Sequence, residues 1–250
     1  MRTLAVIPAR LGATRLPRKP MRLLAGKPLV VRVWERVVAL DVFDAVVVAT
    51  DSEEVASAVE AEGGTVARTG DHNSGTERAA FVLSLPEHRD AEVVVNVQGD
   101  EPFVSREALV GATSMIAVNG FDIGTAAVAA SPAVLNDPNV VKVVTTHAGR
   151  AMYFSRAPIP FLRDPADAEL QRSHIYQHLG VYAYTADVLA GWAQLPPTPL
   201  EQIERLEQLR PLAAGVPIGV AVIDEPPRPG IDTEADLARA NREWAAFTSG

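Results

Sequence analysis

The sequence predicts an α/β protein built on a mostly parallel sheet, with an α/β lobe inserted in its second half. Three observations predict it. Short apolar runs without polar alternation, TLAVIP (3–8), AVVVAT (45–50) and EVVVNV (92–97), suit strands buried on both faces of a parallel sheet. Between them lie stretches of helical periodicity, and alternating strands and helices wind such a sheet with right-handed crossovers. At 250 residues and 48% hydrophobic, the chain can bury a sizeable core.

The elements follow in order. Pro8 ends the first run. Residues 28–40 (PLVVRVWERVVAL) place Leu29, Val30, Val33, Trp34, Val37 and Val38 at helical spacing, with Pro28 suited to a first turn. Residues 52–62 open on a serine N-cap with early acids and stop at Gly63-Gly64. Helices are predicted over 75–85 and 105–117. The second half is less regular: strands over 121–130, 139–146, 178–184 and 218–223, helices over 186–195 and 199–213, and a last helix over 233–247 capped by Thr233. The Pro- and Asp-rich stretch 157–173 reads as a long loop, of the kind that serves a site or an interface. No repeat or linker appears, so the chain reads as one domain, 1–250, with the lobe around 125–215.

Charge and composition exclude several classes. A net charge of −8 argues against broad nucleic-acid or membrane-surface binding, which rest on basic surface. The chain has no cysteine, which removes disulfides, thiolate catalysis and cysteine-ligated zinc. The N-terminal apolar run is too short for a signal peptide, and no uninterrupted apolar stretch of about 18 residues suggests a membrane span. A soluble cytoplasmic protein is expected.

Against that acidic background, IPARLGATRLPRKP (7–20) gathers Arg10, Arg15, Arg18 and Lys19 where the first strand ends. In parallel α/β folds ligands bind beyond the carboxyl ends of the strands. Ala9, Gly12 and Ala13 let backbone N–H groups approach an anion, Thr14 adds a hydroxyl, and Pro17 and Pro20 stiffen the arm carrying Lys19. The stretch reads either as a solvated basic loop or as a phosphate cradle, and its position favours the cradle. It has neither the GK[ST] spacing of a P-loop nor a GxGxxG fingerprint.

This run, R-x-x-x-T-R-L-P-x-K-P after an apolar strand, resembles the signature of the sugar-nucleotide cytidylyltransferases, and among them the 3-deoxy-manno-octulosonate (Kdo) cytidylyltransferase, or CMP-Kdo synthetase, family. The likeness continues in order through DHxSGTER (71–78), VNVQGDEP (95–102), NxVKVV (139–144), YFSR (153–156), HLGVYAY (178–184), PLEQIERLEQLR (199–210) and GIDTxxDL (230–237). The resemblance implies a Rossmann-like nucleotide-diphospho-sugar transferase fold. It also implies transfer of CMP from CTP to the anomeric hydroxyl of Kdo with release of pyrophosphate, for lipopolysaccharide precursors. It implies Mg²⁺ as cofactor and a homodimer paired through the inserted lobe.

Phosphoryl transfer of this kind needs in-line positioning and neutralised phosphate charge more than covalent help. Arg10, Arg15 and Lys19 are the expected triphosphate ligands, since Arg grips phosphate with paired hydrogen bonds and Lys acts as a point charge. Arg18 departs from the small residue that resembling sequences often carry and is expected to face solvent. Asp100, past the end of a buried strand, and Asp232, in PGIDT, are hard-oxygen candidates for Mg²⁺, although each also suits an ordinary turn. Arg15, Lys19, Asp100 and Asp232 form the expected catalytic set. Ala9, Ser74, Gly75, Arg78 and Gln98 join the CTP site, with Gln98 offering donor and acceptor to cytosine. Ser74 equally suits a helix N-cap with Glu77, His72 reads as structural, and Glu101 reads as shaping a turn.

The sugar is expected in the lobe, against Arg156, His178, Tyr182, Glu207 and Gln208. His178, Gly180 and Tyr182 share one face if the strand alternates regularly, although His178 and Tyr182 equally suit a half-buried pair. Lys142 either pairs with an acid or reaches the site. Two other readings stand beside the Kdo enzyme. One is a cytidylyltransferase for another acid sugar, such as 8-amino-Kdo, neuraminate or pseudaminate. The other is a nucleotide-binding protein of the same fold without catalysis. The PLE…LEQLR form of 199–210 favours Kdo, and the intact Arg15, Lys19, Asp100 and Asp232 favour catalysis.

Overall fold

A computed structural model describes residues 1–12, 15–72, 74–192 and 194–248. The chain divides into two compact units, Met1–Arg106 with Arg228–Gly250, and Glu107–Pro227.

The first unit begins with β1 (Thr3–Ala9), followed by the two-stranded ribbon β2 (Leu23–Leu24) and β3 (Lys27–Pro28). Then come α1 (Leu29–Ala39), β4 (Ala45–Thr50), α2 (Glu53–Glu60), β5 (Thr65–Arg68), α3 (Gly75–Ser84) and β6 (Val93–Asn96). Strands β6, β1, β4 and β5 lie side by side, all parallel. Leu4, Ala5, Val6 and Ile7 of β1 and Val93, Val94 and Val95 of β6 are at most 2% exposed, as expected of strands covered on both faces. Each large aliphatic side chain buried this way stabilises the unit by about 1.5–3 kcal/mol.

Helix α1 buries Leu29, Val30, Val31, Val33 and Val37, while Val38, expected on the same stripe, is 45% exposed. Pro28 stands at the N-cap of α1 rather than in its first turn. Ser52 caps α2, its hydroxyl accepting from the Val55 N–H. The strand β5 and the β2–β3 ribbon are too short and mixed to show as apolar runs.

The second unit carries α4 (Arg106–Ala117, from Glu107 onward), β7 (Ile123–Ala129), β8 (Lys142–Thr145), β9 (Ala151–Ser155), α5 (Ala168–Arg172) and β10 (Tyr176–Thr185). It continues with α6 (Ala186–Trp192), α7 (Pro199–Glu204), α8 (Leu209–Ala213) and β11 (Ile218–Ile223). Here β7 pairs parallel with β11 but antiparallel with β10, and β8 joins β10 and β9 antiparallel. Three expectations are corrected. The stretch 157–173 is not wholly loop, since it holds a 3₁₀ turn (Pro165–Asp167) and α5. The helix expected over 199–213 breaks at Arg205, which adopts a left-handed φ of 55°, so Glu207 and Gln208 lie between α7 and α8 and on neither. The alternation expected over 178–182 is interrupted by a register shift between His178 and Tyr182, where Gly180 has φ 72°.

In the first unit, α9 (Glu234–Thr248) closes the chain. Asn241 of α9 accepts from the Ala25 N–H at 2.8 Å and donates to the Leu23 carbonyl at 3.2 Å, tying the ribbon to this helix. Among the described residues, no helix is long and apolar enough to cross a membrane.

Candidate active site

The carboxyl ends of β1 and β6 open on a cavity of about 390 Å³ within the first unit. Ala9, Arg10, Arg15 and Lys19 line it from the loop after β1. Ser74, Gly75 and Arg78 line it from the start of α3, Gln98 and Asp100 from the segment after β6, and Asp232 from just before α9. Ala13 and Thr14 lie outside the described residues.

Lys19 lines the cavity between two carboxylates. It opens a 3₁₀ turn (Lys19–Met21) with Pro20 in the second position, preceded by Arg18 at a left-handed φ of 56°. The turn aims the Lys19 ammonium inward, where Nζ donates to Asp100 Oδ2 and to Asp232 Oδ1, both at 2.7 Å. Arg15 Nη2 lies 3.2 Å from Asp232 Oδ2. Burial alone would lower the Lys19 pKa, but the Asp100 charge and the hydrogen bonds that Lys19 donates to both aspartates outweigh it and hold the ammonium above its ordinary value. Beside them, burial and then the Asp100 and Asp232 charges push the Glu101 carboxyl up to about 8. Its backbone shapes the turn as expected, Glu101 N–H donating to Gln98 O at 3.2 Å. Arg18 points outward, its guanidinium paired with Glu54. Arg10 is exposed and has no ion pair among the described residues.

The opposite wall is shaped by backbone approach. A Cβ on Gly99 would stand 2.6 Å from the Pro8 carbonyl oxygen, so only glycine lets this segment close on β1. The Ser74 hydroxyl caps α3 by accepting from the Glu77 N–H at 3.2 Å, and the open first turn of a ten-residue helix faces the cavity. Such an end favours anions. Arg78, 2% exposed, donates to Thr69 Oγ1 at 2.5 Å and lies 3.5 Å from Asp51, so it braces this loop from beneath. His72 also lines the cavity and packs on Phe81 at 5.4 Å between ring centroids.

The residues expected to hold a sugar lie in the second unit. The Arg156 guanidinium is already engaged, Nε donating to Glu204 O at 2.9 Å and Nη1 to Pro138 O at 2.8 Å. Despite the bulge, the rings of His178 and Tyr182 stay 5.2 Å apart, with Phe154 edge-on to His178 at 5.1 Å. His178 Nε2 lies 2.9 Å from Thr125 Oγ1, and burial holds its pKa down to about 3, so the imidazole is neutral. The Tyr182 hydroxyl is buried without a hydrogen-bond partner among the described residues. Gln208 is buried at 7% exposure. Lys142 does neither of the things expected of it. Fully buried, its ammonium donates to the carbonyls of Asp137, Val140 and Arg156 at 3.0, 2.7 and 2.5 Å, a structural clamp.

The family model for cytidylyltransferases matches residues 4–218. The chain belongs to the cytidylyltransferase family. This cytidylyltransferase is 57% identical over 245 residues to the 3-deoxy-manno-octulosonate cytidylyltransferase of Gemmatimonas aurantiaca, covering 98% of this chain and 95% of that one. It is 46% identical over 242 residues to the enzyme of the same name from Polynucleobacter asymbioticus, covering 96% and 94%. Among solved structures it matches a CMP:2-keto-3-deoxy-manno-octonic acid synthetase complexed with CTP, with a TM-score of 0.89, 38% identity and coverage of 98% and 99%. The α/β fold expected from the sequence is the fold of these nucleotidyltransferases.

Two carboxylate oxygens that share one ammonium at 2.7 Å, on separate segments and facing a polar cavity, fit a hard divalent cation that keeps several waters. The cytidylyltransferase also uses partners that its sequence did not single out. Asp51 and Thr69 hold Arg78, Thr125 holds His178, and Glu204 holds Ser155 and the Arg156 N–H. Each is an ordinary polar residue with no local pattern to mark it, and all but Thr69, nine positions from Arg78, are 27 or more positions from the residue they hold.

Proposed function

We propose that the chain transfers CMP from CTP to the anomeric hydroxyl of Kdo, releasing pyrophosphate. The observation that carries the reading is the meeting of Lys19, Arg15, Asp100 and Asp232 in one cavity at the strand ends. Arg10, Arg15 and Lys19 neutralise the triphosphate, and Lys19 exchanges its carboxylate partners for phosphate oxygens when CTP enters. The N-terminal turn of α3, with Ser74 and Gly75, and the amide of Gln98 present donors and acceptors to the nucleotide. Asp100 and Asp232 would hold Mg²⁺. When bound, the cation screens phosphate charge and lowers the pKa of the attacking hydroxyl. The relatives' names and the 38% identity to the CTP-bound synthetase support CTP and Kdo as substrates.

The assay is pyrophosphate release from CTP in Mg²⁺ with Kdo, 8-amino-Kdo, neuraminate and pseudaminate, with ATP and UTP as controls. Release fastest with CTP and Kdo and stopped by EDTA is expected. Preference for another acid sugar would replace Kdo, and no release with any of them would leave a nucleotide-binding protein.

The second unit is the proposed dimerisation surface. Met152, Phe161, Leu170 and Val222, between 50% and 80% exposed, line a groove of about 900 Å³ there, an apolar exposure that a second copy would cover. Light scattering of wild type and Phe161→Asp tests this. The wild type should be dimeric and the variant monomeric, and a monomeric wild type removes the proposal. A cytoplasmic location accords with nucleotide-dependent synthesis and is read out by fractionation.

A further inference from the structure

Asp232 is delivered to the cavity by a segment with little regular support. Arg228 and Pro229 are exposed and without secondary structure, and regular structure resumes only with α9. Besides the ion pairs of Asp232 with Lys19 and Arg15, its N–H bond to Asp236 and the burial of Ile231, two attachments upstream of Asp232 tie this stretch to its unit. One is the Ile231 N–H, which donates to the Asp100 carbonyl at 3.0 Å and so ties the two carboxylate-bearing segments directly. The other is the Arg228 guanidinium, which lies over the Phe247 ring at 5.1 Å and the Phe103 ring at 5.9 Å.

Those rings form a small built cluster. Phe103 meets Phe247 edge-on at 4.9 Å and Trp244 at 5.7 Å, and Phe103 and Trp244 are 7% and 9% exposed. Arg36 covers Phe247 at 4.9 Å and Arg32 covers Trp244 at 5.2 Å. Arg36 and Arg32 are anchored elsewhere as well, Arg36 Nε on Val104 O at 3.0 Å and Arg32 Nη1 on Glu35 at 3.0 Å. Arg228 has no ion pair among the described residues, so its charge rests on the rings. Phe103 stands three residues after Asp100, and Arg228 four residues before Asp232. The ring contact therefore clamps the two segments beyond the point where the Ile231 bond joins them.

We propose that Arg228, acting through Phe103 and Phe247, is a positioning residue that sets Asp232 against Asp100. The inference rests on the reading of those aspartates as the groups that work on the CTP triphosphate. An exposed guanidinium over a ring face contributes modestly, so loss of contact with two rings should cost about two- to tenfold in whatever depends on the carboxylate spacing.

Mn²⁺ binding to the full-length protein in the presence of CTP but no sugar, followed by electron paramagnetic resonance, is compared with kcat, the KM for CTP and Tm. The proteins are wild type, Arg228→Gln, Arg228→Lys, Phe247→Leu and the Gln/Leu double variant. Arg228→Gln and Phe247→Leu should each weaken Mn²⁺ binding and lower kcat about two- to tenfold, with KM for CTP within twofold and Tm within about 2 °C. Arg228→Lys, which keeps the cation, should recover most of the loss, and the double variant should be no worse than the worse single one, because both break the same contact. Wild-type Mn²⁺ affinity and kcat in Arg228→Gln, or equal damage in Arg228→Lys, or additive losses in the double variant, would overturn the proposal. If the wild type itself shows no enzyme-dependent Mn²⁺ signal, the metal reading fails separately, and the kcat pattern across the variants still decides the role of Arg228.

Discussion

Replacing Lys19 with Met keeps an unbranched side chain, one heavy atom shorter, and deletes its charge and its donors. Those donors make two 2.7 Å bonds to carboxylates, from a side chain that is 14% exposed. Hydrogen bonds with charged partners each contribute about 1.5–3 kcal/mol. The Asp232 side chain is 42% exposed, so its share falls toward the surface ion-pair range of about 0–1 kcal/mol. Met also escapes the cost of burying an ammonium, which offsets part of the loss. A net destabilisation of about 2 kcal/mol remains, and at about 2–4 °C per kcal/mol for a chain of this size Tm should fall about 4–8 °C in EDTA. Because Asp100 and Asp232 then face each other without their internal cation, added Mg²⁺ without nucleotide should raise the variant's Tm more than the wild type's. Differential scanning calorimetry in EDTA and in Mg²⁺ measures both. An unchanged Tm in EDTA together with a wild-type response to Mg²⁺ would refute the account of Lys19 as the cation that holds the two aspartates together.

Three further outcomes follow from the same geometry. Asp100→Ala should lower kcat by about 100-fold or more while changing the KM for CTP less than threefold, since the lost interaction counts most in the transition state; steady-state kinetics with Kdo would show otherwise if the metal assignment is wrong. Gly99→Ala, whose Cβ would stand 2.6 Å from the Pro8 carbonyl oxygen, should cost about 1–3 kcal/mol in urea unfolding, and a neutral result would mean that the two segments are free to separate. The His178 imidazole titrates near 3 in the fold against about 6.5 unfolded, so the unfolded chain binds more protons between those values. Its contribution to stability is complete above about pH 6.5 and declines as pH falls toward 3, about 2 kcal/mol by pH 5. Urea titrations of wild type and His178→Phe at pH 7 and 5 should differ in pH dependence by that amount, and parallel pH dependence would contradict the buried neutral imidazole.

What could be read from the residues alone was local. The unbroken apolar runs of β1, β4 and β6 mark strands covered on both faces, and the Ser52 and Ser74 caps mark helix starts, because each signal lies within a few positions of what it predicts. The cationic cluster after β1 was legible for the same reason, and the structure brings its Arg10, Arg15 and Lys19 into one cavity with Ser74, Gln98, Asp100 and Asp232. Tertiary structure alone decided which charges meet. Lys19 finds Asp100 and Asp232 across 81 and 213 positions, Arg156 turns its guanidinium to the carbonyls of Glu204 and Pro138, and Lys142 reaches the Arg156 carbonyl 14 positions on. The bulge at Gly180 and the break at Arg205 likewise move residues off the faces that simple periodicity assigns to them. A buried charge takes whatever partner the packed chain brings within reach, and no short stretch of sequence carries that information.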